Sequence, residues 1–170
     1  MTDDTTAERC RPLRLISFDV DGVLTDGQLY YSDDGREIKA FNVQDGAAIK
    51  LLQQHGLQIA ILTGRDSPMV ARRAAELGIE HLYQGLQDKR TALAELKAEL
   101  ALETRQIAHV GDDLPDLVLF DLVGFAVSVP NGHPAVMERA HHVTTTPGGR
   151  GVARELAELI LRAKGTWPFD

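Results

Sequence analysis

Four short apolar runs punctuate the chain: LRLISFDV (13–20), LQIAILT (57–63), QIAHVGD (106–112) and LVGFAVSV (122–129). They are rich in β-branched residues and nearly continuous rather than alternating, the pattern of parallel strands covered on both faces. Stretches 81–84 and 142–146 are shorter candidates of the same kind. Helical segments lie between them. Asp45 is placed to cap a helix ending at Gly56, and Ser67-Pro68 reads as an N-cap with a first-turn proline, closed by Gly78. Asp88 opens a helix with Leu93, Leu96 and Leu100 on one stripe. Leu114-Pro115 begins a short helix, and Val152, Leu156, Leu159 and Ile160 mark an amphipathic one near the C-terminus. Parallel strands need crossover connections. The alternation therefore predicts a doubly wound, mostly parallel, Rossmann-like α/β sheet with helices on both faces.

One stretch breaks the alternation. DGQLYYSDDGREIKAFN (26–42) carries an Asp34-Gly35 turn between two short extended runs, the signature of a β-hairpin inserted after the first strand. It is too small to be a second domain or a cap over a site. The reading is an N-terminal tail (1–11) and a single domain (12–170). Composition narrows the partners. With 18 Lys+Arg against 25 Asp+Glu the net charge is −7, which argues against nucleic acid as a partner. Cys10 is the single cysteine, so neither an intrachain disulfide nor a cysteine-based zinc site is available. No apolar run approaches a membrane span, and the polar start MTDDTTAERCR has no signal-peptide core, so a cytoplasmic place is expected. The tail Trp167-Pro168-Phe169 is expected to dock on its own core or on a neighbouring subunit.

The chemistry gathers at strand ends. The first strand runs into Asp19-Val20-Asp21-Gly22, two carboxylates at i and i+2 that point the same way. Like charges this close need a cation or a proton, and oxygen-rich surroundings favour a hard ion such as Mg²⁺. The second strand ends in Thr63-Gly64-Arg65, a hydroxyl and an amide suited to phosphate oxygens, although Thr63 alone also reads as a helix cap. The third ends in GDDLPD (111–116), a second acidic cluster with Asp112, Asp113 and Asp116. Lys89 sits at a helix start, where a cation opposes the dipole; it is either at work on a ligand or a solvated surface lysine. The six histidines show no metal-ligand spacing, and His109, inside a strand pattern, reads as a core residue.

The run DVDGVLT, then LTGR, then a lysine, then GDDLPD, in that order, resembles the haloacid dehalogenase-like phosphohydrolases. Within that family, the hairpin stretch and the glycine-rich TPGGRGVARE (146–155) are similar to phosphatases of an eight-carbon keto-deoxy sugar acid phosphate, whose product feeds the lipopolysaccharide inner core. The resemblance implies that Asp19 is the nucleophile and Asp21 the general acid/base. It implies that Asp19, Asp112 and the main-chain carbonyl of Asp21 hold Mg²⁺, that Thr63, Lys89 and the Gly64 amide hold phosphoryl oxygens, and that Asp113 and Asp116 orient metal waters. Arg65 becomes a substrate contact. The resembled phosphatases are homotetramers, which would make 148–151 a flexible strip carrying Arg150 to the substrate carboxylate of a neighbouring site, or else a mobile loop. Two other readings share these residue types. A response-regulator receiver would present an acceptor Asp at a later strand end, where this chain has Thr63. A dehalogenase of the same fold would need neither Asp21 nor the Asp112-Asp113 cluster.

Overall fold

The computed structural model describes residues 4–169. In chain order the elements are α1 (Asp4–Cys10), β1 (Leu15–Phe18), β2 (Tyr30–Tyr31), β3 (Glu37–Ile38), α2 (Val43–Gln54), β4 (Gln58–Leu62), α3 (Pro68–Glu76) and β5 (His81–Tyr83). Then come α4 (Lys89–Glu99), β6 (Ile107–Val110), α5 (Leu117–Phe120), β7 (Phe125–Ser128), α6 (Pro134–Arg139), β8 (His142–Val143) and α7 (Val152–Ala163). Six strands form one parallel sheet in the order β5-β4-β1-β6-β7-β8. The chain winds from β1 to one edge through β4 and β5, then returns to β6 on the other side of β1. That reversal opens a crevice beyond the carboxyl ends of β1, β4 and β6, where doubly wound sheets bind ligands.

Alternation along the strands divides the core in two. Ile16 and Phe18 of β1, with Ala108 and Val110 of β6, pack against Ile49 and Leu52 of α2, Val70 and Ala74 of α3, and the apolar stripe of α7. Leu15 and Ile107 face the other way, onto Leu93 and Leu96 of α4, Leu119 and Phe120 of α5, and Val136 of α6. Both strand faces are covered, which is why the runs read as continuously apolar.

Two local expectations change. α2 is capped by Asn42, whose side-chain oxygen accepts from the Gln44 amide at 2.7 Å. Asp45 lies within that first turn and instead reaches across to α7, accepting from the Ala153 amide at 2.8 Å and the Arg154 amide at 3.3 Å. The N-cap of α7 is Gly151, which has no side chain to cap with, so a buried aspartate from a different helix supplies the acceptor. The polar N-terminal stretch contains α1, seven residues long, which packs on α7 and buries Cys10 completely. Burial pushes the Cys10 thiol up to about 12. At the other end Trp167 packs against this same core, with Arg162 over its ring and Phe169 edge-on at 5.2 Å. Among the described residues no helix is long and apolar enough to cross a membrane.

The inserted segment is a two-stranded antiparallel hairpin pairing Tyr30 with Ile38 and Tyr31 with Glu37, turned at Gly35 with φ +80°. It stands apart from the main sheet and leaves Leu29, Tyr30, Tyr31 and Ile38 exposed.

Candidate active site

A cavity of about 580 Å³ opens over the carboxyl ends of β1, β4 and β6. Its lining includes Asp19, Asp21, Thr63, Gly64, Arg65, Lys89, Asp112, Asp113 and Asp116. Pairing of Phe18 with both Ile61 and Val110 sets the three strand ends side by side, so carboxylates 93 positions apart in the chain meet at one rim. Arg150 does not line the cavity. It is exposed, close enough to Asp26 and Tyr30 at the hairpin base for its charge to act on both.

Oxygens of Asp19, Asp112 and Asp116 lie within 4.8 Å of one another. Burial first, then the charges of Asp19, Asp116 and Asp113, push the Asp112 carboxyl up to about 8. Asp19 is raised as well, by burial and by Asp116. Asp116 goes the other way: burial opposes its ionisation, yet the hydrogen bond and charge of His109, with Lys89, hold it well below the usual carboxylate range. Asp116 is fully supplied with donors. Its Oδ1 accepts from Lys89 Nζ at 2.6 Å and His109 Nε2 at 2.9 Å, and its Oδ2 from the Asp112 and Asp113 amides at 3.1 and 3.3 Å. It therefore braces the loop rather than offering free lone pairs. Asp112 Oδ1, by contrast, is buried with no hydrogen-bond partner. A pair of crowded carboxylates that resist ionisation, one with an orphaned buried oxygen, fits a hard divalent cation, which would take the place of the missing positive charge.

Lys89 is buried and reaches Asp19 Oδ1 at 3.2 Å as well as Asp116. Its side chain points down from the first turn of α4 into the acidic cluster. The surface-lysine alternative therefore does not hold: a cation at a helix start is tolerated because two carboxylates outweigh the dipole and the cost of burial. The start of α4 is capped by Asp88, which accepts from the Arg90 amide at 2.9 Å. Asp113 caps the following one-turn helix, accepting from the Leu114 amide at 2.8 Å, and is more exposed than Asp116.

Asp21 is held from an unexpected quarter. Lys39, from the hairpin, donates to Asp21 Oδ1 at 2.6 Å and to Glu37 Oε1 at 3.0 Å, with only 2% of its side chain exposed. Glu37 in turn grips Arg65 with both oxygens at 3.1 Å. The hairpin thus clamps the general-acid candidate and the second strand end together. Lys39 and Glu37 escaped the sequence reading. The available signal was period two: Glu37 in β3 and Lys39 just beyond it project to the same side, a charged pair in an otherwise exposed hairpin.

Glycines shape the site by close approach. A Cβ on Gly22 would fall 1.9 Å from Asp112 Oδ2, and one on Gly111 would fall 2.3 Å from the Asp116 carboxyl carbon. The strip 148–151 is tied to the loop that follows β1. It is pinned by the Gly148 amide on Asn131 Oδ1 (2.7 Å) and the Gly149 amide on the Val23 carbonyl (3.0 Å), while Asn131 Nδ2 donates to the Gly22 carbonyl at 2.9 Å. A Cβ on Gly148 would meet the Gly22 carbonyl oxygen at 2.0 Å. Gly148→Ala is expected to lose about 1–3 kcal/mol, read as a lower urea midpoint, because the loop carrying Asp21 must shift.

Comparison with known proteins follows the same lines. Residues 82–156 match the model of the haloacid dehalogenase-like hydrolases. A curated relative, 3-deoxy-D-manno-octulosonate 8-phosphate phosphatase of Yersinia pestis, is 45% identical over 161 residues, covering 95% of this chain and 86% of its own. The chain belongs to the haloacid dehalogenase-like hydrolase family. A solved structure of the same-named phosphatase from Moraxella catarrhalis, in complex with magnesium ion, phosphate ion and a KDO molecule, superposes with a TM-score of 0.92 at 46% identity, covering 95% of this chain and 93% of that one. A probable YrbI family phosphatase from Pseudomonas syringae pv. phaseolica gives a TM-score of 0.94 at 49% identity, with 96% and 93% covered. The doubly wound fold read from the sequence is the fold of these family members.

Proposed function

We propose that the chain is a phosphoric monoester hydrolase that cleaves 3-deoxy-D-manno-octulosonate 8-phosphate to the free sugar acid and phosphate, with Mg²⁺ as its cofactor. The observation that carries this is the convergence of Asp19, Asp112 and buried Lys89 beside Thr63 and Gly64 in one crevice. The similarity to relatives of that name over almost the whole chain supports the substrate.

The cation would be held by Asp19, Asp112 and the main-chain carbonyl of Asp21, and when bound it neutralises charge on the phosphoryl group. Asp19 has one oxygen tied to the Val20 amide at 2.8 Å and to Lys89, which turns the carboxylate and leaves the other oxygen to attack phosphorus. Attack in line forms an aspartyl-phosphate as the bond to the sugar C8 oxygen breaks. Asp21 gives its proton to the departing alkoxide, then takes one from the water that cleaves the acyl-phosphate, restoring Asp19 and releasing phosphate. Thr63, the Gly64 amide and Lys89 orient the phosphoryl oxygens. Arg65, locked to Glu37, offers a guanidinium edge to the sugar acid; Asp113, the more exposed of the pair, orients waters, and Asp116, its oxygens taken by Lys89, His109 and two amides, braces the loop instead.

Among the described residues no cap domain lies over the crevice. The exposed apolar residues of the hairpin, Tyr30 and Ile38 on one face and Leu29 and Tyr31 on the other, with Val43 at 81% exposure beyond them, support assembly into a homotetramer in which neighbours complete the rim, with Arg150 reaching a neighbouring substrate carboxylate. A cytoplasmic place belongs to the same proposal.

Phosphate release from a panel of sugar and keto-acid phosphates, with and without EDTA, tests the reading. The eight-carbon acid phosphate is expected to give the highest kcat/KM, with activity lost on chelation and restored by Mg²⁺. Preference for a nine-carbon acid phosphate, equal rates across the panel, or indifference to EDTA would each overturn it.

A further inference from the structure

Two polar residues sit where the packing pattern calls for apolar ones. β1 and β6 pair Leu15 with Ile107 and Ser17 with His109, and all four side chains face the layer of α4 and α5. Leu15 and Ile107 do what that layer requires. Ser17 and His109, both completely buried, do not. A buried imidazole and hydroxyl forfeit packing energy and must find partners. Theirs form a chain. Ser17 Oγ lies 2.8 Å from His109 Nδ1 and donates to the Ala108 carbonyl at 3.1 Å; His109 Nε2 lies 2.9 Å from Asp116 Oδ1; Phe120 presents its ring to the imidazole at 6.3 Å. Because the Asp116 carboxylate only accepts, Nε2 carries the hydrogen and donates.

The position of Asp116 is what the pair decides. Its Oδ1 has two donors, His109 and Lys89, and its Oδ2 holds the amides of Asp112 and Asp113. Remove His109, and Oδ1 is left to Lys89 alone. The ammonium then settles on Asp116 and turns from Asp19, and the carboxylate is free to rotate off the two amides that set Asp112. We infer that Ser17 and His109 are positioning residues for the hydrolysis: from inside the sheet they fix the rotamer of Asp116, and through it the direction of Lys89 and the placement of Asp112. This rests on the phosphatase reading above. Neither residue lines the cavity, so neither touches the substrate.

The test compares His109→Leu, which keeps bulk and removes the donor, with His109→Gln, which keeps an N–H donor of similar reach. Each is measured for kcat and KM, and for Mn²⁺ affinity by electron paramagnetic resonance in the absence of substrate. Partners of metal ligands typically cost 10–100-fold when lost. His109→Leu is expected to lower kcat by about 10–100-fold with KM little changed, and to weaken Mn²⁺ binding by a comparable factor. His109→Gln is expected to recover most of both, although its melting temperature falls as far as that of His109→Leu. If the two variants lose activity and Mn²⁺ affinity equally, or His109→Leu matches wild type, the inference is wrong. Should His109→Leu not fold, Ser17→Ala carries the comparison: a several-fold loss of kcat and of Mn²⁺ affinity supports the inference and wild-type values overturn it. Wild-type protein that binds Mn²⁺ but releases no phosphate would defeat the functional reading alone, since the Mn²⁺ comparison still reads the prop.

Discussion

Asp19→Asn is expected to abolish phosphate release, by on the order of 10⁴-fold or more, while the protein stays folded. The amide keeps the shape of the carboxylate and its contact with the Val20 amide, but it cannot attack phosphorus. The melting behaviour should separate loss of chemistry from loss of fold. Asp19 is a buried group whose ionisation is opposed first by desolvation and then by Asp116, so its charge is a burden whenever no cation is bound. In EDTA the variant should melt at or above the wild-type temperature. On adding Mg²⁺ the wild type should gain stability by binding the ion in its native state, and the variant should gain much less. A variant that keeps a wild-type rate would remove Asp19 from the nucleophile position, and one that melts far below wild type in EDTA would contradict the electrostatic account.

The second large effect belongs to Lys89. Lys89→Met keeps the stem and removes the ammonium from a position only 4% exposed. Asp116 and Asp19 then face each other across the cluster with their shared cation gone. Removing one partner of a buried ion pair typically costs about 3–5 kcal/mol, because the remaining charge stays desolvated. The expected result is a matching fall in unfolding free energy by urea denaturation, together with loss of turnover on every substrate of the panel. The linkage sign follows from Asp116, whose folded carboxyl is held below its usual range partly by Lys89. A depressed carboxylate contributes stability at pH values above the ordinary carboxylate range and loses it as the pH falls. Lys89→Met should thus be most destabilising near neutrality, and its deficit should shrink in acid. A deficit independent of pH, or below about 1 kcal/mol, would mean that the pair is not the buried, charge-matched contact that its 2.6 Å geometry describes.

These two residues also show how unevenly the site could be read in advance. Asp19 and Asp21 announce themselves, because an apolar strand that runs straight into two acids has delivered them to a rim. Lys89 was ambiguous: near a helix start, spacing alone leaves it either at work on a ligand or a solvated surface lysine, and its burial depends on α4 docking over β4 and beside α5. His109 was seen as a core residue, and it is buried, but its strand neighbour Ser17 and the distant Asp116 make it part of the polar network. Lys39 showed only its period-two pairing with Glu37; that it meets Asp21 was not legible, because a hairpin folding back onto a strand end is a tertiary event. Asp45 shows the same limit in the fold: on spacing it resembles the cap of its own helix, yet three dimensions use it for another.

The order of apolar runs, the strand-end acids and the turn glycines were legible by themselves, since hydrophobic period, chain reversal and positive φ are short-range demands that a few residues satisfy. Which strands adjoin β1, which way the hairpin folds, and which buried cation meets which carboxylate were decided only in the tertiary structure. Those outcomes depend on pairings between residues tens of positions apart, and such pairings are set by the free energy of packing the whole chain at once.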